Sequence, residues 1–243
     1  MASISITSRV RPTKHLVGVR GGTWHAMVNE RGAIRPSDGS PVLDWYVAAD
    51  DRWHDPSAEG TVRQERSGGI PIIETRLRVP GGDIVQRVYG VVDYGGLVVI
   101  EFENQSSLPV AVALTRGDVL AQRSPSSTGI SGISLPPDSV AFPVGHKSTL
   151  KVALASSGSS LKQLPAGLAE AQQLRRGWST SLDRASRLVL PQFEFSDAVA
   201  RIRADLLIRG EDFSEIGGDQ VAYVLSLVEL QRMGEKIDEH LPG

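Results

Sequence analysis

The chain has 243 residues, 40% hydrophobic and 22% charged, with a formal charge of −2. That is enough chain for a sizeable core, and the near-zero charge gives no electrostatic case for nucleic acid or an anionic membrane surface. The absence of cysteine excludes disulfides, thiolate metal sites and a cysteine nucleophile.

The first twenty residues carry Arg9, Arg11, Lys14 and Arg20, the loosely spaced cations of a solvated terminus. Met1 to Ile6 lacks the charged-then-apolar pattern of a signal peptide, and no apolar run approaches the ~20 residues of a membrane span, so a cytoplasmic location is expected. Trp24-His25 leads into the densest polar and aromatic cluster: Trp45, Tyr46, Asp50, Asp51, Arg52, Trp53, His54 and Asp55. Aromatic rings stack on the C–H faces of sugars, and carboxylates and arginine bond their hydroxyls. Trp45, Asp51, Arg52, Trp53, His54 and Asp55 are therefore the candidate ligand-binding residues. The competing reading makes Trp45 and Trp53 core anchors and the Asp/Arg run a turn with local ion pairs.

Ile72 to Val79 alternates, with Ile73, Thr75, Leu77 and Val79 on one face and Glu74, Arg76 and Arg78 on the other. Gly81-Gly82 turns the chain into a returning strand from Ile84 to Val92, a hairpin by turn chemistry. Further strands follow at Leu97 to Glu103, with Val98, Ile100 and Phe102 on one face, and at Val110 to Leu114. The meander predicts a large antiparallel sheet. Arg123 to Ser139 is a Ser/Gly/Pro-rich loop, Ser148 to Ala155 one more strand and Ser156 to Ser160 a linker.

Then the period changes. Pro165 to Arg187 has helical spacing through Leu168, Ala171, Leu174 and Trp178, and Pro191 stops it. Ser196 is the expected N-cap of Asp197 to Ile208, with the stripe Val199, Ile202 and Leu206 and a stop at Gly210. Asp219 caps a second helix carrying Val221, Val224, Leu225 and Val228. The expected architecture is mainly β: a large antiparallel β-sandwich over residues 1–160, then a linker helix and a C-terminal αα-hairpin over 161–243. Two helices this short cannot hide their apolar stripes by themselves. Val199, Ile202, Leu206, Val224, Leu225 and Val228 therefore either dock on the sheet or form an interface, with a second copy or a helical partner protein.

This order of parts resembles the N-terminal β-sandwich and the opening of the (α/α)-barrel of bacterial glycoside hydrolases and phosphorylases, the glucoamylase-like and glycogen-debranching-like enzymes. The resemblance rests on VQRVYGVVDYGGLVVIEFENQSSLPVAVALTRGDVL (85–120), the bridge LDRASRLVLP (182–191) and the helix AVARIRADLLIRG (198–210). It covers most of the chain in layout and includes no catalytic signature. The family's catalytic carboxylates lie on the loops of a barrel of six helical hairpins, of which this chain has room for about one, so no position inherits them. The resemblance implies a non-catalytic carbohydrate-associated module or accessory subunit, binding sugar or a protein partner. Two alternatives stay open: an enzyme acting on a glycan through acids among Asp51, Asp55, Glu59 and Glu65, and a purely structural oligomeric subunit.

No cofactor or metal is expected. His15, His25, His54, His146 and His240 lack metal-site spacing, and there is no G-x-S-x-G, G-x-G-x-x-G or Walker loop. Asn104-Gln105-Ser106 matches a glycosylation sequon, but without a signal peptide it reads as a turn.

Overall fold

The computed structural model describes residues 14–49, 52–126, 134–184, 186, 193–209 and 220–236. Its strands are β1 (Lys14–Gly18), β2 (His25–Asn29), β3 (Ile34–Pro36), β4 (Trp45–Ala49), β5 (Arg52–His54), β6 (Arg63–Glu65), β7 (Ile72–Val79), β8 (Gly82–Val91), β9 (Leu97–Asn104), β10 (Val110–Leu114), β11 (Leu120–Ala121), β12 (Val140–Val144) and β13 (Thr149–Ala155). The helices are α1 (Ala171–Asp183), α2 (Phe193–Arg209) and α3 (Gln220–Arg232). The protein is mainly β, as expected, with antiparallel sheets of three strands (β1-β2-β3), four (β12-β10-β4-β5) and six (β11-β13-β9-β8-β7-β6).

The six-stranded sheet is the middle layer. Successive side chains of a strand point to opposite faces. One face sends Ile73, Leu77, Ile84, Val88, Val98, Ile100 and Phe102 into a core shared with Val17, Val28, Trp45, Val47, Val112 and Phe142 of the smaller sheets. The other face sends Ile72, Tyr89, Val91, Leu97 and Val99 against Trp178, Ala204, Leu207, Ile208 and Leu230 of the helices. A strand covered on both faces reads as a continuous apolar run, which is why Val98-Val99-Ile100 carries no alternation. Each such side chain stabilises the fold by roughly 1.5–3 kcal/mol on burial.

Two glycines set the distances between layers. A Cβ on Gly90 of β8 would lie 2.4 Å from the carbonyl carbon and oxygen of Gly18, so β1 crosses β8 in backbone contact. Gly69, at φ 67°, would place a Cβ 2.6 Å from the amide nitrogen of Arg201, so the turn Ser67–Gly69 rests on the backbone of α2.

The helix ends differ from those expected. α1 begins at Ala171 rather than near Pro165, because Gly167 sits at φ 76° and Glu170 and Gln173 form a capping box. α2 already runs from Phe193, so Ser196 lies inside the helix and does not cap it. The expected stop at Gly210, cap at Asp219 and bridge from Arg187 to Pro191 lie outside the described residues. Arg203 ties the helical layer together. Its Nη1 donates to the carbonyls of Leu182 at 2.9 Å and Ser186 at 3.4 Å, and its Nη2 donates to that of Met233. A single guanidinium thus satisfies carbonyls near the ends of α1 and α3, which their own helices cannot pair.

Asn104 confirms the turn reading of its sequon. Its side chain is fully buried, its Nδ2 donates to the carbonyls of Leu108, Val144 and Gly145, and its Oδ1 accepts from the amide and hydroxyl of Ser106. Among the described residues no helix is long and apolar enough to cross a membrane.

Candidate functional site

The sheet divides the aromatic cluster that the sequence groups together. Trp45 is 2% exposed and belongs to the inner core, its indole donating to the carbonyl of Arg31 at 3.1 Å and lying 5.3 Å from the Phe102 ring. Trp53 pairs with Ala48 across β4 and β5, and Ala48 alternates with the inward Val47 and Ala49. Trp53 therefore stands on the opposite face from Trp45, half-buried, with its indole donating to the carbonyl of Ser134 at 2.7 Å. Arg52 and the buried His54 both reach Glu59, at 2.7 Å and 3.0 Å. The Arg52 hydrogen bond, with a smaller contribution from His54, holds the Glu59 carboxyl below its usual range against the effect of burial. Asp55 accepts the amide of Ser57 at 2.8 Å. Asp51 lies outside the described residues. The described part of the cluster is the paired strands β4 and β5 with a local ion-pair set on Glu59, Asp50 also lies outside the described residues, and Trp45 takes the anchor role.

A groove lies elsewhere, on the outer face of the six-stranded sheet where the helices leave it uncovered. It encloses about 450 Å³ and is lined by Arg87, Glu101, Thr149, Lys151, Glu170, Ala171, Gln172 and Arg175. Strand register builds its floor: Glu74 pairs with Arg87, Arg87 with Glu101, and Glu101 with Lys151. The row alternates in sign across β7, β8, β9 and β13, and cross-strand pairs of opposite charge support a sheet. Arg87 bonds Glu74 at 2.9 Å and Glu103 at 2.6 Å. Burial works against its charge, but those two carboxylates outweigh burial and raise the guanidinium pKa. Glu103 is lowered, first by the hydrogen bond from Gln105 and then, against burial, by Arg87. Glu101 accepts from Lys151 at 3.0 Å and from the Tyr89 hydroxyl at 2.7 Å. Burial, and then the bond to Glu101, push the Tyr89 phenol up.

The first turns of α1 wall the groove. Glu170 stands at the helix cap, its amide donating to Gln173 Oε1 at 3.0 Å, and Gln172 and Arg175 make no side-chain bond within the described chain. The floor is a fixed, charge-compensated lattice, and the wall offers uncommitted donors. Lysine, arginine and carboxylate spacing of this kind is set by register, so the sequence reading did not find it. Its only local trace is the polar alternation Glu74, Arg76, Arg78. Among the described residues no group of histidine, aspartate and glutamate could hold a metal ion.

Of the residues expected to be interfacial, Leu206 packs against the core between sheet and helices, and the other five lie outside it. The inward side of α2 is Arg203, Ala204, Leu207 and Ile208. Ile202 is 51% exposed, Val224 54% and Leu225 58%, while Val199, Leu206 and Val228 are half-buried. No protein-family model matches this chain, and no curated protein matches it.

Proposed function

We propose that this chain is a non-catalytic, carbohydrate-associated β-sandwich module that holds a neutral, hydroxyl-rich ligand in the groove between the charge ladder and α1. The observation that carries this reading is the ladder Glu74–Arg87–Glu101–Lys151 flooring a 450 Å³ groove. Opposite charges side by side cancel as a field but remain donors and acceptors at close spacing. A hydroxyl is both donor and acceptor and fits such a surface, whereas an isolated anion or cation meets as much repulsion as attraction. The resemblance in layout to carbohydrate-active enzymes points the same way.

Glycan hydrolysis is the weaker reading. It needs one carboxyl that gives up a proton and a second that attacks or activates water. Glu101 is held by an ammonium and a phenol, and Glu170 caps a helix. Of the acids considered from sequence, Glu59 is ion-paired, and Glu65 lies on β6 at the edge of the six-stranded sheet, with Glu74 as its cross-strand neighbour.

The test is a thermal-shift and calorimetry panel of glucans, disaccharides and sugar phosphates on the full chain. A ligand at ~100 times its dissociation constant adds about 2.7 kcal/mol. Gln172→Ala and Arg175→Ala should remove the shift and leave the unliganded melting temperature unchanged. A flat panel, or a response confined to sugar phosphates and abolished by salt, would defeat this reading.

A further inference from the structure

α2 is apolar on two opposite sides. One side carries Ala204, Leu207 and Ile208, packed in the core beneath the six-stranded sheet. Phe195, at 57% exposed, and Ile202, at 51%, lie seven residues apart and therefore on one stripe of the other side. Arg209, seven residues further on and exposed, continues that stripe. Half-buried Val199 and Leu206 flank it. A helix with apolar residues on both sides has more to bury than one neighbour covers. Among the described residues the sandwich covers one side of α2, and the exposed stripe of α3, with Val224 and Leu225, adds to the apolar surface.

We propose that a second copy of this chain covers the outward side of α2, the two helices packing antiparallel about a two-fold axis at Ile202. The symmetry of the stripe argues for this occupant. Phe195 and Arg209 are equidistant from Ile202, so an antiparallel pair places the Phe195 ring of each copy against the Arg209 guanidinium of the other. A cation over an aromatic face is attractive. The same register brings Glu194, in the first turn of α2, beside Arg209 of the second copy, at the end of its helix. Glu194 makes no ion pair among the described residues. A two-fold interface requires a self-complementary patch, and acid and aromatic at one end with a cation at the other supplies one. One helix stripe of roughly 25 Å is short of the ~800 Å² per partner of a long-lived complex, so the dimer forms at micromolar concentration or above.

Sedimentation of the full chain from about 5 to 500 µM reads the mass directly over the range set by that small interface. The expected result is a monomer at the low end and twice its mass at the high end. Ile202→Asp should hold the chain monomeric with an unchanged melting temperature, since Ile202 faces away from the core. Arg209→Glu should weaken the dimer about tenfold, because its contact occurs twice. The chain has no cysteine of its own, so Ile202→Cys gives one thiol per copy, and two of them meet at the axis. That variant should form a disulfide-linked dimer on mild oxidation much faster than Gln172→Cys, whose thiol lies away from α2. A monomer throughout the range, an oligomer indifferent to Ile202→Asp, or equal cross-linking of the two cysteine variants would each overturn the proposal. None of these outcomes depends on the groove or on carbohydrate.

Discussion

Arg66 Nη1 lies 2.8 Å from Asp205 Oδ1, joining the turn before β7 to α2 across 139 positions of sequence. The Arg66 side chain is fully buried, and its Nε and Nη2 also donate to the carbonyls of Gly69 and Ile70. Burial lowers the Arg66 pKa and raises that of Asp205, more than the attraction between them compensates. The pair therefore positions the helices more than it stabilises them.

Arg66→Met should cost about 3–5 kcal/mol, because it strands a partly buried carboxylate and leaves the turn carbonyls without donors. Asp205→Asn should cost less. The raised Asp205 pKa means the folded state binds its proton more tightly than the unfolded chain does. Its contribution is full below the ordinary carboxylate range and is lost as pH rises through the raised folded value. Asp205→Asn should remove that part of the pH dependence. Urea titrations of both variants across that range check the ranking, and the reverse order would show that the ion pair itself dominates.

His15 gives the opposite slope. Burial, then the Arg201 and Arg66 charges, bring its pKa down to about 4, from an ordinary 6.5. The unfolded chain takes up the proton first, so stability present above pH 6.5 is lost as pH falls toward 4. At pH 4.5 the loss from this residue amounts to roughly 2–3 kcal/mol. Comparing wild type with His15→Leu by chemical denaturation at pH 7 and 4.5 isolates it. Equal acid losses in the two proteins would mean that His15 protonates without penalty.

Alanine should act in opposite directions at two glycines. At Gly90 a methyl group meets the Gly18 backbone at 2.4 Å, so β1 must move and stability falls by several kcal/mol on the scale of core overpacking. At Gly177, within α1, a Cβ would find nothing within 4 Å, and Gly177→Ala should add about 1 kcal/mol through helix propensity alone. Melting temperatures of the two variants decide it. A destabilised Gly177→Ala would mean that another group occupies that space.

Trp45→Ala should cost roughly 3–5 kcal/mol, the range for emptying a buried aromatic site. Trp53→Ala should cost clearly less, since Trp53 is half-buried on the outer face and loses mainly its bond to the Ser134 carbonyl. Equal losses in a denaturant titration would place Trp53 in the core.

The expected strands β7, β8, β9 and β10 match those observed because period-two alternation and Gly-containing turns are local signals, but the meander ends at β9: β10 crosses to the four-stranded sheet and pairs with β4 and β12. β12 and the short strands β1 to β6 have no such signal of their own. β4, for example, is fixed by β10, with Val47 opposite Val112, more than sixty residues away. The aromatic cluster was misleading for a related reason. Trp45 and Trp53 are close in sequence, yet the register of β4 and β5 assigns them to opposite faces. On α2 the expected apolar stripe exists, but the helix has a second one, and composition alone cannot say which the sandwich takes. The charge ladder joins residues from four strands by register, so no window of sequence contains it.

Arg203 bears on how the helical layer comes apart. Its guanidinium holds carbonyls at Leu182, Ser186 and Met233, and its Nε lies 3.5 Å from Glu235, whose other oxygen meets Arg20 beside β1. Ends of helices ordinarily fray one turn at a time and exchange their amide hydrogens independently. Here the final turns of α1 and α3 share one donor, so opening either releases the other. Amide exchange at the two ends should therefore slow and quicken together, and Arg203→Leu should uncouple them.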